Sequence, residues 1–241
     1  MDFYPQKSRP VIWGHRGLPK VWPENSLKGF QEARIAGATG IECDLRLTRD
    51  GQVIVMHDPL IDRTTSGKGA VHELSWTYLQ EVVLRNPAGS LSNQHIPQMT
   101  DVLASMDGAC LINFELKGPT RDAPLLIPQL ARAIHEFHAE DRVLVSSFNP
   151  GLLKVLAQQD PDIAIALLLD GLYDNVADLA RQVGACAVHV NQESYDSGIV
   201  SVLHQQAIAV GVYEIWRPED LRQIQEADAW FLDDPGWIRA I

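Results

Sequence analysis

Short apolar runs recur along the chain at 11–15, 40–46, 110–116, 143–147, 163–168, 187–191, 209–213 and 230–232. Each has the length of a buried strand and is bounded by turn-forming or polar residues. Between them, near 26–36, 124–137, 150–158, 176–182, 198–206, 218–226 and 235–241, apolar residues return at helical spacing. Several of these stretches have helix-start chemistry: Asn25 or Ser26 at the first, Asn149-Pro150 at the third, Arg217-Pro218 at the sixth. Strands alternating with helices predict a parallel sheet. Eight strands favour a closed (β/α)8 TIM barrel over an open doubly wound sheet. The open sheet also lacks a Gly-x-Gly-x-x-Gly run after its first strand. The rhythm breaks once, over 58–97, a stretch rich in Gly, Ser, Thr and Asn with one short helical segment near 75–84. A structureless loop of that length is unusual in a compact domain, so a small insertion after the second strand, over the barrel mouth, is expected. An extra strand at 52–56, turned by Asp50-Gly51, precedes it. The whole chain, 1–241, reads as one barrel domain carrying that insertion.

Composition narrows the function classes. The chain has 241 residues, is 46% apolar, and carries a formal net charge of -11. This suffices for a full barrel core. The acidic excess argues against a nucleic-acid partner, which calls for a basic footprint. An anionic small molecule stays possible, because a metal and a few cations can reverse the local field. Cys43, Cys110 and Cys186 are far apart and form no Cys-x-x-Cys pair. Cys43 and Cys110 sit in apolar runs and read as buried thiols, in keeping with a reducing compartment. No signal-peptide core follows Met1, and no apolar stretch reaches the length of a membrane span. A cytoplasmic location is expected.

The candidate chemistry gathers at predicted strand ends. Glu42 and Asp44 are two apart in the second strand and project from one face. Two carboxylates side by side repel unless a cation lies between them. His15 in Gly14-His15-Arg16-Gly17 precedes the pair, and His57 in Met56-His57-Asp58-Pro59 follows it. Glu115 and Lys117 again share a face at the end of the third strand. Barrel active sites form at the C-terminal strand edge, where these groups converge. Oxygen-only ligation suits Mg²⁺ or Ca²⁺ better than Zn²⁺. Metal-assisted acid–base chemistry is therefore expected. Each group also has a plainer structural reading. Glu42 and Asp44 could pair with Arg46 or Arg34, Glu115 and Lys117 with each other. His57 could cap a turn, and Glu24-Asn25 could simply begin a helix. His72, His95, His135, His138, His189 and His204 lack a supporting constellation and read as surface or packing residues.

Taken together, the motifs resemble the glycerophosphodiester phosphodiesterase family. They are Gly14-His15-Arg16-Gly17, Pro23-Glu24-Asn25-Ser26, Gly40-Ile41-Glu42-Cys43-Asp44, Thr48-Arg49-Asp50-Gly51, Val55-Met56-His57-Asp58 and Arg63-Thr64-Thr65 with Gly69. Ile96-Pro97, Asn113-Phe114-Glu115-Leu116-Lys117, Ser146-Ser147-Phe148 and Leu232-Asp233-Asp234-Pro235 follow in order. The resemblance implies a metal-dependent barrel with a small insertion. It implies Glu42, Asp44 and Glu115 as metal ligands and His15 and His57 as general acid and base. It also implies Arg16 as a phosphate contact and Lys117 as a charge stabiliser. The implied reaction converts a glycerophosphodiester to glycerol 3-phosphate and an alcohol. The resemblance further implies attack by the substrate's own 2-hydroxyl, with water then opening a cyclic phosphate.

One stretch departs from the family pattern. Where members often carry a Trp-Thr-Val-Asn-like run after the seventh strand, this chain has Tyr213-Glu214-Ile215-Trp216. The change bears on the alcohol half of the substrate, and Tyr213 or Trp216 is expected to pack against the glycerol or headgroup. A lysophospholipase D or a phosphoinositide-type phospholipase C is the nearest alternative. A lysophospholipid would require an apolar trough, for which the insertion offers Trp76, Tyr78, Leu79 and Leu84. A non-catalytic phosphodiester-binding module would have lost an acid–base group, yet His15 and His57 are both present.

Overall fold

The computed structural model describes residues 3–4, 10–106, 108–171 and 175–240. Of residues 1–9, Phe3 and Tyr4 fall among them. Ile241, expected to end the last helix, lies outside them.

Eight parallel strands close into a barrel: β1 (Val11–His15), β2 (Gly40–Leu47), β6 (Leu111–Leu116), β7 (Val143–Ser147), β8 (Ala164–Leu169), β9 (Ala187–Asn191), β10 (Ala209–Tyr213) and β11 (Ala229–Leu232). Pairing of β1 with both β2 and β11 completes the ring. All eight runs read from sequence are strands, so the barrel expectation is borne out. Strand parity divides each one. In β2, Ile41, Cys43 and Leu45 face the surrounding helices and are fully buried. Each such aliphatic side chain contributes about 2 kcal/mol of burial. Glu42 and Asp44, on the opposite face, enter the barrel.

The lower barrel interior is small and aromatic. Ala164, Ala166, Ala187 and Ala229 pack around Trp13 and Phe231, and Phe3 and Tyr4 close the floor. Trp13 is stacked between Phe3, at 6.3 Å, and Phe231, at 6.0 Å. Gly40 makes room for it: a Cβ there would stand 2.5 Å from the Trp13 ring. Trp13 in turn fills the space under the site.

Among the described residues six helices accompany the barrel strands: α1 (Leu27–Ala36), α3 (Met99–Ser105), α4 (Ala123–Glu136), α5 (Pro150–Gln159), α6 (Val176–Val183) and α7 (Ser197–Gln205). Ser26 caps α1 by accepting from Gly29 N, and Asn149 caps α5 by accepting from Gly151 N. Helix α3 is absent from the sequence reading. Its start is a Gln98/Asp101 capping box, and glutamine is a weak N-cap signal. The helices expected at 218–226 and 235–241 are instead 3₁₀ turns, Pro218–Gln223 and Pro235–Ala240.

Between β2 and α3 the chain forms β3 (Val53–Val55), antiparallel to β2, then α2 (Trp76–Leu79) and a hairpin of β4 (Val83–Arg85) with β5 (Leu91–His95). The hairpin is not evident from the sequence: its second strand, Leu-Ser-Asn-Gln-His, is too polar to register as one. This segment has its own small core, in which Ile54, Met56, Ile61, Leu79, Val82 and Leu84 pack together.

Candidate active site

The strand ends deliver the expected groups to one place. His15 is opposite Glu42 in the β1–β2 register, and Asp44 is opposite Glu115 in the β2–β6 register. Oxygens of Glu42, Asp44 and Glu115 lie within 4.8 Å of one another, and all three residues are buried. Glu42 Oε1 has no hydrogen-bond partner, while Asp44 Oδ1 and Glu115 Oε1 have only the Lys117 ammonium within ion-pair reach. Lys117 Nζ stands 3.2 Å from Asp44 Oδ1.

Three buried carboxylates against Lys117 and Arg16 leave negative charge in excess. Burial first, then the charge of Asp44, drives the Glu42 and Glu115 carboxyls above their ordinary range. Burial works against Asp44 as well, but Lys117 and Arg16 outweigh it and hold Asp44 low. The surplus acceptors, their separation and their all-oxygen chemistry fit a hard divalent cation.

Asp44 is also held from behind. Asn25, at φ 58, donates its amide to Asp44 Oδ2 at 2.8 Å. Arg16, at φ 53, begins a tight turn after β1, and its backbone N–H donates to Glu42 Oε2 at 2.9 Å. Gly17 continues the turn at φ 90, where a Cβ would collide with Gly29 backbone at 2.7 Å. Strained backbone thus presents His15 and Arg16 at the mouth. Glu24 accepts from Arg16 at 3.2 Å and takes a two-pronged contact from Arg63 at 2.7 and 2.9 Å.

Both histidines are anchored through Nδ1. His15 Nδ1 is 2.8 Å from Asp233 Oδ1, and His57 Nδ1 is 2.8 Å from Asp58 Oδ1. Desolvation pulls both histidines down. At His15 the Asp233 hydrogen bond and the Glu42 charge more than compensate, and its pKa is raised. At His57 desolvation, with Arg16 and Lys117 nearby, prevails over Asp44, and its pKa is lowered. Asp58 is itself gripped by Arg63 Nε at 2.6 Å, which holds its carboxyl well below the usual range.

These groups open onto a cavity of about 140 Å³, whose lining includes His15, Arg16, Glu42, His57, Glu115 and Lys117. Phe148, Leu168, Asp170, Tyr213 and Glu214 line it too, and Lys117 Nζ stands over the Phe148 ring, 5.8 Å from its centroid. Tyr213 donates to the Leu169 carbonyl at 2.9 Å. Burial, then the charges of Asp170 and Glu214, raises its phenol pKa. Trp216 is 62% exposed and does not line the cavity. Sequence reasoning gave no role to Asp58, Asp233, Asp170 or Glu214. Asp233 carried a usable signal: it follows Phe231 by two and so continues the inward face of the last strand.

The chain is 29% identical over 231 residues to a glycerophosphodiester phosphodiesterase of Caldanaerobacter subterraneus subsp. tengcongensis, covering 94% of this chain and 95% of the relative. It is 33% identical over 208 residues to a glycerophosphodiester phosphodiesterase of Bacillus altitudinis, covering 82% of this chain and 83% of that one. An Oleispira antarctica phosphodiesterase, solved in complex with sn-glycerol-3-phosphate, superposes with a TM-score of 0.88 at 23% identity, over 96% of both chains. The family model for the glycerophosphoryl diester phosphodiesterase family matches residues 15–236, a span that runs from the first histidine past its aspartate partner and takes in the whole carboxylate ring. The chain belongs to that family.

Proposed function

We propose that the protein hydrolyses glycerophosphodiesters to glycerol 3-phosphate and an alcohol, using two histidines and a divalent cation. The observation that carries this reading is the meeting, in one cavity, of a buried three-carboxylate ring with two aspartate-anchored histidines. Glu42, Asp44 and Glu115 would hold Mg²⁺ or Ca²⁺, which when bound offsets phosphoryl charge and makes a coordinated hydroxyl more acidic. Arg16 and Lys117 line the same cavity and orient the phosphodiester anion by charge. Asp233 and Asp58 fix the ring orientation of His15 and His57 through Nδ1, so proton transfer falls to each Nε2, that of His15 standing 4.0 Å from Glu42 Oε2. One histidine removes the proton of the substrate's glycerol 2-hydroxyl as its oxygen attacks phosphorus. The other protonates the departing alkoxide. The roles then reverse as water opens the cyclic phosphate. Tyr213, on the lining of the same cavity, meets the substrate there. Trp216, exposed and off the cavity lining, has no comparable geometric support.

The lysophospholipid alternative gains no support from the insertion. Leu79 and Leu84 are fully buried in its own core and Trp76 packs against that core, which leaves Tyr78 as the one exposed member of the four, too little for a trough. We read segment 58–97 as shaping the mouth chiefly through Arg63, which bridges Asp58 and Glu24. Among the described residues no helix is long and apolar enough to cross a membrane.

The test is release of glycerol 3-phosphate from a panel of glycerophosphodiesters and lysophosphatidylcholine, with Mg²⁺, with Ca²⁺ and after chelation. Metal-dependent release from the glycerophosphodiesters supports the proposal. Failure to release it with either cation, or full activity after chelation, overturns it.

A further inference from the structure

Arg46 shares one face of β2 with Glu42 and Asp44. Among the described residues it pairs with neither carboxylate, and Asp44 takes Arg16 and Lys117 instead. The half-buried Arg46 side chain turns to the backbone of His57. It donates to the His57 carbonyl from Nε at 2.9 Å and from Nη2 at 2.6 Å. Those two bonds engage both lone pairs of one oxygen. No backbone N–H among the described residues reaches that oxygen. The place of His57 in the fold explains why it needs a tie. His15 ends a barrel strand, whereas His57 lies two residues beyond β3, the short strand that leads into the insertion. Strand β3 runs antiparallel to β2, with Ile54 opposite Arg46. Met56 N–H continues that pairing to the Asp44 carbonyl at 2.8 Å. The backbone pairing stops there, one residue short of His57, and the Arg46 side chain carries it on.

A planar guanidinium with two N–H groups on one acceptor fixes direction as well as distance, which a lysine's rotatable ammonium does not reproduce. The tie links two parts of the site. Strand β2 carries two of the three ring carboxylates, and through Arg46 it also holds the His57 backbone. Resting on the hydrolase reading above, we infer that Arg46 is a positioning residue, tying His57 to β2 and so setting the distance between its ring and the carboxylates that would hold the cation. Arg46 does not line the cavity, so it acts through His57 and not on the substrate. Its task differs from that of Asp58, which aims the ring through Nδ1 while Arg46 places the backbone. Without Arg46 the His57 backbone would swing about its last tie at Met56. A displacement of about 1 Å at a reacting group costs up to about 10²-fold in rate.

The experiment is a double-mutant cycle between Arg46 and His57. It uses the glycerophosphodiester and the cation, Mg²⁺ or Ca²⁺, that give the highest wild-type rate. Wild type, Arg46→Met, Arg46→Lys, His57→Ala and Arg46→Met/His57→Ala are compared by steady-state and single-turnover kinetics and by thermal melts with cation and with chelator. Arg46→Met keeps the length of the stem and is expected to lower kcat about 30-fold with KM within about twofold. Arg46→Lys should recover part of that loss, to within about fivefold of wild type. In the His57→Ala background the methionine should cost less than about threefold, because the ring it would misplace is gone. Both Arg46 variants should keep at least the wild-type rise in melting temperature on adding cation, since the carboxylates are intact. An unchanged kcat in a folded Arg46→Met overturns the inference. So does a loss of equal size with and without His57, which would make Arg46 a support of the fold at large. A smaller cation-induced rise overturns it too, by assigning Arg46 to the carboxylate ring. If Arg46→Met does not fold, the same cycle built on Arg46→Lys decides. A wild type that cleaves no diester overturns the hydrolase reading, and this inference with it.

Discussion

His15 Nδ1 lies 2.8 Å from Oδ1 of Asp233, a residue 218 positions further along the chain. The ring is therefore aimed by a carboxylate that arrives only when the last strand closes the barrel against the first. Substituting Asp233→Asn keeps the size and removes the charge, so the imidazole loses the partner that fixes its tautomer and stabilises its cation. The expected result is a fall in kcat of about 10–100-fold, with KM within about twofold and the melting temperature nearly unchanged. Steady-state kinetics and a thermal melt check this. An unaltered kcat would remove Asp233 from the site.

The histidines themselves should matter more than their partners. His15→Ala and His57→Ala are each expected to lower kcat by about 10²–10⁴ while the fold persists, since both rings are only part-buried at the mouth. Circular dichroism with single-turnover kinetics separates loss of chemistry from loss of structure. Full turnover by either variant excludes that ring from proton transfer.

The carboxylate ring predicts a trade between stability and metal binding. Burial and Asp44 disfavour the charged form of Glu42. Glu42→Gln therefore removes a destabilising charge from the metal-free protein and a ligand from the metal site. The variant is expected to melt above wild type in chelator and to lose most of the melting-temperature rise that Mg²⁺ or Ca²⁺ gives wild type. Chelation should abolish wild-type activity. If the metal-free variant melts lower, or retains the full cation-induced rise, Glu42 is not a ligand held at a cost.

The carboxylate ring was the more legible half of this site, because strand parity and strand order alone bring Glu42, Asp44 and Glu115 to one face. The eight strands were legible for the same reason: apolar runs of strand length between helical stretches. Relationships that depend on side-chain reach across the closed barrel were not. Asp58 stands beside His57 in sequence, yet nothing local shows whether it caps a turn or holds the ring. Glu24 reads equally as a helix-start residue and as the acceptor shared by Arg16 and Arg63. Helix α3 and the β4–β5 hairpin lacked strong local signals, and tertiary packing decides both.

Arg63 offers a way to separate structure from catalysis. It spans Asp58 and Glu24 from the segment between β3 and α3, with its side chain 52% exposed. Exposed ion pairs contribute little to stability, about 1 kcal/mol or less. Removing them here also frees the aspartate that orients His57. Arg63→Met is thus expected to change unfolding free energy by about 1 kcal/mol at most and to lower kcat/KM at least about fivefold. Urea unfolding beside kinetics tests the split. Equal small effects on both would make the bridge a surface feature only.

The barrel floor carries a separate, pH-dependent term. His189 is fully buried, with Tyr4 Oη 3.0 Å from Nε2, the Phe231 ring 4.7 Å away, and no partner at Nδ1. Burial alone pushes its pKa down to about 3. In the unfolded chain the same group titrates near its ordinary value of about 6.5. As pH falls below that value the unfolded state takes up a proton that the folded state refuses. Stability from neutral His189 is therefore complete above about pH 6.5 and drains away toward pH 3, with a limiting slope of about 1.4 kcal/mol per pH unit. His189→Gln keeps a polar group near Tyr4 and cannot titrate. Its unfolding free energy, measured in urea between pH 7.5 and 4.5 with chelator and at constant ionic strength, should converge on the wild-type value as the pH is lowered. Wild-type and variant curves that stay parallel across that range would show that His189 is protonated in the folded floor, or reaches solvent there.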